Sequence, residues 1–155
     1  MNNVPLPSPT VDLADSILGV WRLTSREDVD SLGDIRVDPI LGPNPLGILC
    51  FAPNHFAAQF MRQDRAIDES AHDQIQSKNN SSAVNGYDAY FGTYILDATK
   101  GTLSIYLEGS ISPSNIGSSF LRDIRIVNDE LVIQLQTTTE DGTQITRTLT
   151  FSRLG

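Results

Sequence analysis

Two arginines stand on otherwise apolar strand faces in the second half of the chain. By period-two alternation, Arg122 shares its face with Phe120, Ile124 and Ile126, and Arg147 shares its face with Ile145, Leu149 and Phe151. An unpaired cation is expensive to bury, so three interpretations stay open for each arginine. It pairs with an internal carboxylate such as Glu108, it reaches water at the end of the fold, or its planar guanidinium binds an anionic or enolate-like ligand. The third interpretation makes Arg122 the first catalytic candidate and Arg147 a candidate for contact with a substrate.

Three further residues have side chains suited to acid–base chemistry. His55 follows Pro53-Asn54 in a predicted tight turn, where a positive φ is often needed. A turn residue is one interpretation of His55, and the best single proton-transfer group near pH 7 is the other. Glu108 and Tyr94 complete the catalytic candidates, whereas His72 lies in a polar segment and is expected to be in solvent.

A second group of residues is suited to substrate binding. Gln59 shares a strand face with Met61, so the pair either lines a pocket or faces solvent. Tyr106 could offer its hydroxyl to a ligand carbonyl or pack as an ordinary aromatic, and Phe120 accompanies Arg122 on one face. Two histidines without nearby paired carboxylates do not suggest a metal site. The chain has no glycine-rich phosphate loop, so no cofactor is expected.

Eight alternating segments predict the elements that position these residues. Three precede a polar insert and five follow it, and they span 18–27, 46–52, 56–62, 93–97, 102–109, 118–127, 130–138 and 144–153. Evenly spaced strands separated by tight turns indicate an all-β fold, an eight-stranded up-and-down antiparallel barrel. Residues 12–17 predict a helical turn before the first strand, and residues 28–44 predict a long loop.

The insert between the third and fourth predicted strands contains a helical pattern. Ser82 could cap a short helix whose apolar residues Val84, Tyr87 and Phe91 are three and four positions apart. A helix there would close one end of the barrel.

Period-two alternation assigns the strand faces. In the first strand Trp21 and Leu23 are expected to face inward, together with Ser25, while Arg26 faces outward. Two sets of residues alternate along 102–109: the aliphatic Leu103, Ile105 and Leu107, and the polar Ser104, Tyr106 and Glu108. Either set could face inward, and the pattern favours the aliphatic one. Leu131, Ile133 and Leu135 also point inward. A one-residue bulge would reverse any of these assignments.

Length and charge limit the classes of partner. The 155 residues fit one domain, with residues 1–16 as an extended arm and 17–155 as the barrel. A formal net charge of −8 disfavours nucleic acid and anionic membrane surfaces. The single Cys50 and the lack of a secretory pattern at the N-terminus predict a cytoplasmic protein. Small barrels often pair, so a homodimer fits the sequence, although no residue pattern requires one.

Several segments together resemble a known family. Gly19-Val20-Trp21 and the terminal Arg153 resemble the lipocalin signature, in which the Trp plugs one end of an eight-stranded barrel and the Arg packs across it. The stretches at 46–55, 61–65 and 87–94 are similar to the lipocalin-like domain proteins of bacteria and fungi, and Tyr90-Phe91-Gly92-Thr93-Tyr94 is the most specific. This chain departs from them at Asn54-His55, where Asp-Gly is usual, and at Tyr106, where His is frequent.

The resemblance implies a structural role for Trp21 and Arg153 at the closed end. It also implies a function at the opposite end, where we expect the loop 28–44, His55 and Arg122 to lie. Related barrels act as cyclases or isomerases on polyketide-like or terpenoid intermediates. The first hypothesis is therefore a cofactor-free cyclase or isomerase for a small, largely apolar molecule. A non-catalytic carrier of a small hydrophobic ligand is the second, and a barrel filled by its own side chains is the third.

Overall fold

A computed structural model describes residues 12–65, 85–139 and 141–155 of the chain. Within these ranges a short helix, nine strands and one 3₁₀ turn follow one another in chain order. They are α1 Leu13–Ser16, β1 Gly19–Asp30, β2 Ile35–Arg36, β3 Leu46–Ala52, β4 His55–Met61, β5 Tyr87–Asp97, β6 Thr102–Ser110, the 3₁₀ turn Pro113–Asn115, β7 Ser119–Val127, β8 Glu130–Thr138 and β9 Gln144–Arg153.

The sheet closes on itself through its first and last long strands. Each strand from β3 to β9 pairs antiparallel with the next, and β1 pairs with both β3 and β9. The β1–β9 register runs from Trp21 opposite Arg153 to Asp30 opposite Ile145. The two-residue β2 adds to β1 inside the predicted loop 28–44. The predicted eight-stranded antiparallel barrel is confirmed, with one extra strand.

The polar insert is where the predicted elements differ most from the structure. Tyr87 and Phe91 belong to β5, so the predicted helix does not include them. Residues 66–84, with His72 and the predicted helix cap Ser82, lie outside the described residues. The helical turn predicted before the first strand is confirmed as α1, which Asp12 caps through its side chain.

The turn between β3 and β4 has its positive φ one residue earlier than predicted. Asn54 adopts φ 64° and His55 starts β4. Asparagine enters this left-handed region more readily than most residues because its short amide can bond locally. This hairpin lies at the end of the barrel where β1 begins, since Phe51 pairs with Gly19.

The aliphatic faces of the strands form the core, as predicted. Their side chains are all less than a tenth exposed, and they include Trp21, Leu23, Leu103, Ile105, Leu107, Leu131, Ile133, Leu135, Leu149 and Phe151. Burying these surfaces removes apolar area from water at roughly 25 cal/mol per Å², the main stabilising contribution to such a barrel.

Trp21 closes one end of the barrel. Its ring is fully buried, and its indole N–H donates to the carbonyl of Ile17 at 2.8 Å. The guanidinium of Arg153 lies 4.1 Å from the centre of the Trp21 ring and donates to the carbonyls of Ser16 and Leu18. The predicted clamp of Arg153 over Trp21 is therefore confirmed. A side chain at Gly19 would clash here, because its Cβ would lie 2.5 Å from the carbonyl oxygen of Gly155.

The opposite end is covered by the segment 31–45. Asp38 holds this segment in shape, since its carboxylate accepts from the backbone N–H groups of Ile40 and Leu41 at 2.7 and 3.1 Å. Leu41 is buried against the core. Arg62, which follows β4, donates to the carbonyls of Pro39 and Ile40. The segment is thus tied to the barrel rim.

Candidate functional site

A cavity occupies the barrel interior beneath the segment 31–45. Its apolar wall consists of Leu41, Leu49, Phe51, Phe56, Phe60, Leu103, Ile105, Ile133, Leu135, Leu149 and Phe151, and its polar wall of Arg26, Asp88, Tyr90, Arg122 and Arg147. The cavity has a volume of about 70 Å³. This is enough for several water molecules but is about half of the roughly 150 Å³ that takes up benzene, so a larger ligand requires wall side chains to move.

Arg122 faces this cavity without a carboxylate partner. Its guanidinium lies 5.1 Å from the centre of the Phe120 ring and donates to the carbonyl of Leu121 at 3.2 Å. No described carboxylate lies within ion-pair distance of it. Burial lowers the pKa of Arg122, and the neighbouring Arg147 adds to this effect. An arginine nevertheless stays charged at neutral pH. Arg122 is thus a half-buried cation on the cavity wall that no described carboxylate pairs with.

Arg147 is paired. Its Nε and Nη2 donate to both carboxylate oxygens of Asp28 at 2.9 and 3.1 Å, and both side chains are almost fully buried. This bidentate geometry is the strongest form of an arginine–carboxylate contact. Of the interpretations open for Arg147, the internal carboxylate is therefore the observed one, although the partner is Asp28 rather than Glu108.

Arg26 extends this buried network towards the segment 31–45. Its Nη2 lies 3.3 Å from Asp38 and 3.9 Å from Asp28. The second terminal nitrogen, Nη1, is buried without a hydrogen-bond partner among the described residues. Burial lowers the pKa of Arg26, as does the nearby Arg147. Arg26, which lines the cavity, therefore has one buried donor that no described residue satisfies.

A bulge in β1 places Arg26 and Asp28 inside the barrel. Leu23 pairs with Phe151 and Ser25 with Thr150, so Thr24 is an extra residue in the strand. Beyond it the alternation reverses, which turns Ser25 outward and Arg26 inward, against the prediction. Nothing in the residue types around Thr24 marks the bulge. Sequence reasoning therefore missed both residues.

Asp88 is a buried carboxylate on the same wall. It is 4% exposed, and its Oδ1 has no hydrogen-bond partner among the described residues. Burial raises the pKa of Asp88 to about 7, although Arg26 acts in the opposite direction. Its neighbour on the strand face, Tyr90, has a pKa raised to about 12 by burial and by Asp88, so its hydroxyl is protonated at neutral pH. Sequence reasoning missed Asp88 because it began the strand at Thr93.

The raised pKa of Asp88 predicts a stability that depends on pH. The folded protein holds a proton up to about pH 7 that the unfolded chain releases near its ordinary value of 3.8. Stability therefore falls as the pH rises through this window. We expect wild type to lose up to about 4 kcal/mol between pH 4 and 8 relative to Asp88→Asn, which cannot titrate. Urea unfolding at several pH values measures the difference.

The matched control for this measurement is Asp123→Asn, which removes an exposed carboxylate on the outer face of β7. Its stability should follow that of wild type across the same pH range. A constant difference between wild type and Asp88→Asn would show that Asp88 does not titrate in this window.

Four predicted site residues lie on the outer face. Glu108 and Tyr106 alternate with the buried aliphatic residues of β6 and are exposed. Gln59 is exposed and accepts a hydrogen bond from the Tyr87 hydroxyl at 2.6 Å, and Met61 points to the same side of β4. The predictions that these four contact a substrate inside the barrel are wrong. The inward-facing positions of β4 and β6 are occupied by apolar residues.

The remaining candidates divide between the two ends of the barrel. His55 is exposed at the closed end, not at the open end as predicted, and with Glu108 it borders a shallow outer groove. Tyr94 packs edge-on against Phe51, and its hydroxyl donates to the carbonyl of Ala52 at 2.8 Å, away from the cavity wall. Phe120 faces inward beside Arg122, as predicted.

The described residues contain no group of three or more His, Cys, Asp and Glu side chains placed to hold a metal ion. No helix in the described part of the chain is long and apolar enough to cross a membrane.

Comparison with known proteins identifies the family. Residues 18–154 match the lipocalin-like domain model, and the chain belongs to this family. The resemblance inferred from the Trp21 and Arg153 segments is thereby confirmed. A search among curated proteins finds no significant match. A lipocalin-like barrel with this apolar interior suits the binding of a small hydrophobic ligand.

Proposed function

We propose that the cavity binds a small, largely apolar molecule through an oxygen-bearing group held by Arg122. The observation that carries this proposal is that Arg122 lines a largely apolar cavity and that no described carboxylate lies within ion-pair distance of it. A carboxylate, a carbonyl or an enolate oxygen would satisfy it, because guanidinium donors match planar oxygen acceptors. Arg26, with Nη1 unpaired, supports the same requirement for an acceptor.

We further propose that the protein is a cofactor-free cyclase or isomerase. Donors fixed on a dry wall stabilise negative charge that develops on a substrate oxygen, without any reorganisation during the reaction. The apolar wall would hold one conformer of the substrate. A polyketide-like or terpenoid intermediate exceeds the present volume, so its entry requires side chains of the covering segment 31–45, such as Leu41, to move. A carrier without chemistry is the alternative.

Arg122→Ala tests the binding proposal with two probes of equal length, hexanoate and 1-hexanol. Wild type should bind hexanoate about tenfold more tightly than 1-hexanol, because a hydrogen bond to a charged group contributes about 1.5–3 kcal/mol. Arg122→Ala should remove this preference while keeping the affinity for 1-hexanol. Titration calorimetry measures both affinities.

Arg125→Ala is the matched control, since Arg125 is exposed on the outer face of the same strand. It should retain the hexanoate preference. The proposal fails if wild type binds neither probe, or if Arg122→Ala keeps the wild-type preference.

Native mass spectrometry of freshly purified protein distinguishes an enzyme from a carrier. A co-purified small molecule argues against a barrel filled only by its own side chains. A molecule that leaves the barrel chemically unchanged after incubation indicates a carrier, and conversion to an isomer or a ring-closed product indicates an enzyme.

A further inference from the structure

Asp88 is an acid on the cavity wall to which the proposed binding mode gives no role. It is the second residue of β5, at the covered end of the barrel, and its side chain points inward next to Phe60 of β4. One carboxylate oxygen is buried without a hydrogen-bond partner in the described ranges, and it belongs to a residue that lines the cavity. A buried, unpartnered carboxylate oxygen is costly, so its retention on the wall of a cavity indicates contact with a ligand.

The two arginines that act electrostatically on Asp88 form their ion pairs with other carboxylates. Arg26 of β1 contacts Asp38 of the segment 31–45, and Arg147 of β9 holds Asp28 through two hydrogen bonds. No described cation lies within ion-pair distance of Asp88 itself. Its carboxylate is therefore available to a proton rather than committed to a salt bridge.

Tyr90 connects Asp88 to the proposed anchor. Its hydroxyl interacts electrostatically with both Asp88 and Arg122, so all three groups belong to one region of the wall. Both residues line the same cavity, so a carbonyl compound held by Arg122 would occupy the space that Asp88 borders. The cavity thus offers a proton acceptor and a separate cation for the oxygen, which is the arrangement that enolisation requires.

We infer that Asp88 is the catalytic proton-transfer residue, acting on the carbon next to a ligand carbonyl, an inference that rests on the proposed binding at Arg122. The C–H bond breaks, its proton passes to Oδ1 of Asp88, and its electron pair becomes the C=C bond of an enolate. The negative oxygen is held by Arg122. Return of the proton to another carbon of the enolate system gives the isomer and regenerates the carboxylate, so nothing is consumed.

The proton affinity of Asp88 suits this role. Its pKa of about 7 lets the carboxylate accept a proton and the acid return it near neutral pH. Arg26 and Arg147 lower this pKa and Asp38 raises it, so all three groups affect the working range.

Exchange of hydrogen for deuterium in cyclohexanone tests the inference without knowledge of the natural substrate. In D₂O, wild type should accelerate exchange at the carbons next to the carbonyl above the buffer rate, as NMR measures directly. Asp88→Asn should reduce the catalysed rate about 100-fold, the usual contribution of a general base. Isomerisation of 3-cyclohexen-1-one to the conjugated ketone, followed by ultraviolet absorbance, should show the same loss.

Two tests keep the outcomes distinct. Asp123→Asn on the outer face should exchange at the wild-type rate. The wild-type rate should also rise with pH to a plateau with a midpoint near 7, which needs no variant. The inference is overturned if wild type exchanges only at the buffer rate, or if Asp88→Asn exchanges at the wild-type rate; the binding proposal then stays intact. If wild type does not bind hexanoate, the proposed function itself is overturned.

Discussion

Replacing Trp21 with alanine should lower the free energy of unfolding by about 4 kcal/mol, within the range found for large aromatic residues in cores. The ring is fully buried, and Arg153 lies across it at 4.1 Å. The substitution leaves a cavity at the closed end and removes the cation–π contact and the hydrogen bond to Ile17. Urea unfolding of both proteins measures the loss.

Trp21 is not on the cavity wall, so its loss should not change ligand binding. Trp21→Phe, which retains most of the volume, should bind hexanoate with wild-type affinity. Ile95→Ala is the stability control, because Ile95 is 76% exposed on the barrel exterior. Its effect should stay below about 0.5 kcal/mol. A Trp21 variant that folds normally but no longer binds the probe would contradict the structural assignment.

The buried pair of Arg147 and Asp28 should show the second large effect. Arg147→Met leaves the Asp28 carboxylate inside the barrel with Arg26 3.9 Å away, beyond hydrogen-bonding distance. Removing one partner of a buried pair typically costs about 3–5 kcal/mol. The double variant Arg147→Met, Asp28→Leu should recover much of this loss, because no buried charge is then left unpaired. Chemical unfolding of the two single variants and the double variant gives the coupling energy.

Arg36 and Asp30 provide the matched control for this cycle. They form a second arginine–aspartate pair at 3.2 Å, but the Arg36 side chain is 39% exposed. Arg36→Met should therefore destabilise far less than Arg147→Met. Equal losses at the two pairs, or a double variant no more stable than Arg147→Met, would contradict the role assigned to burial.

The aliphatic pattern was sufficient to predict the barrel and most of its inner faces. Leu103, Ile105 and Leu107 lie inward because burying these apolar side chains is more favourable than burying the polar residues of the other face. The same alternation placed Arg122 and Arg147 correctly. A charged residue on an apolar strand face was therefore a useful indication of the site, since a buried cation needs a compensating partner.

The rest of the site depends on strand pairing and bulges, which the alternation of residues along one strand does not show. Asp88 was missed because Tyr87 and Phe91 also fit a helical spacing, and sheet pairing overrode that preference. His55 was assigned to the wrong end because its position follows from the pairing of β3 with β1. Glu108 is the extra residue opposite the step from Phe91 to Gly92, and it faces outward.

The bulge at Thr24 makes the charged interior of the barrel sensitive to insertions and deletions in β1. The inward direction of Arg26 and Asp28 depends on the number of residues between Leu23 and Asp28, not only on their identity. A one-codon deletion or insertion in this stretch would exchange the inner and outer sets of the strand. During evolution a lipocalin-like barrel could therefore gain or lose an internal charge network in one step while every ionisable residue was retained. Among related sequences, the length of this segment should predict the polarity of the interior better than the residues that fill it.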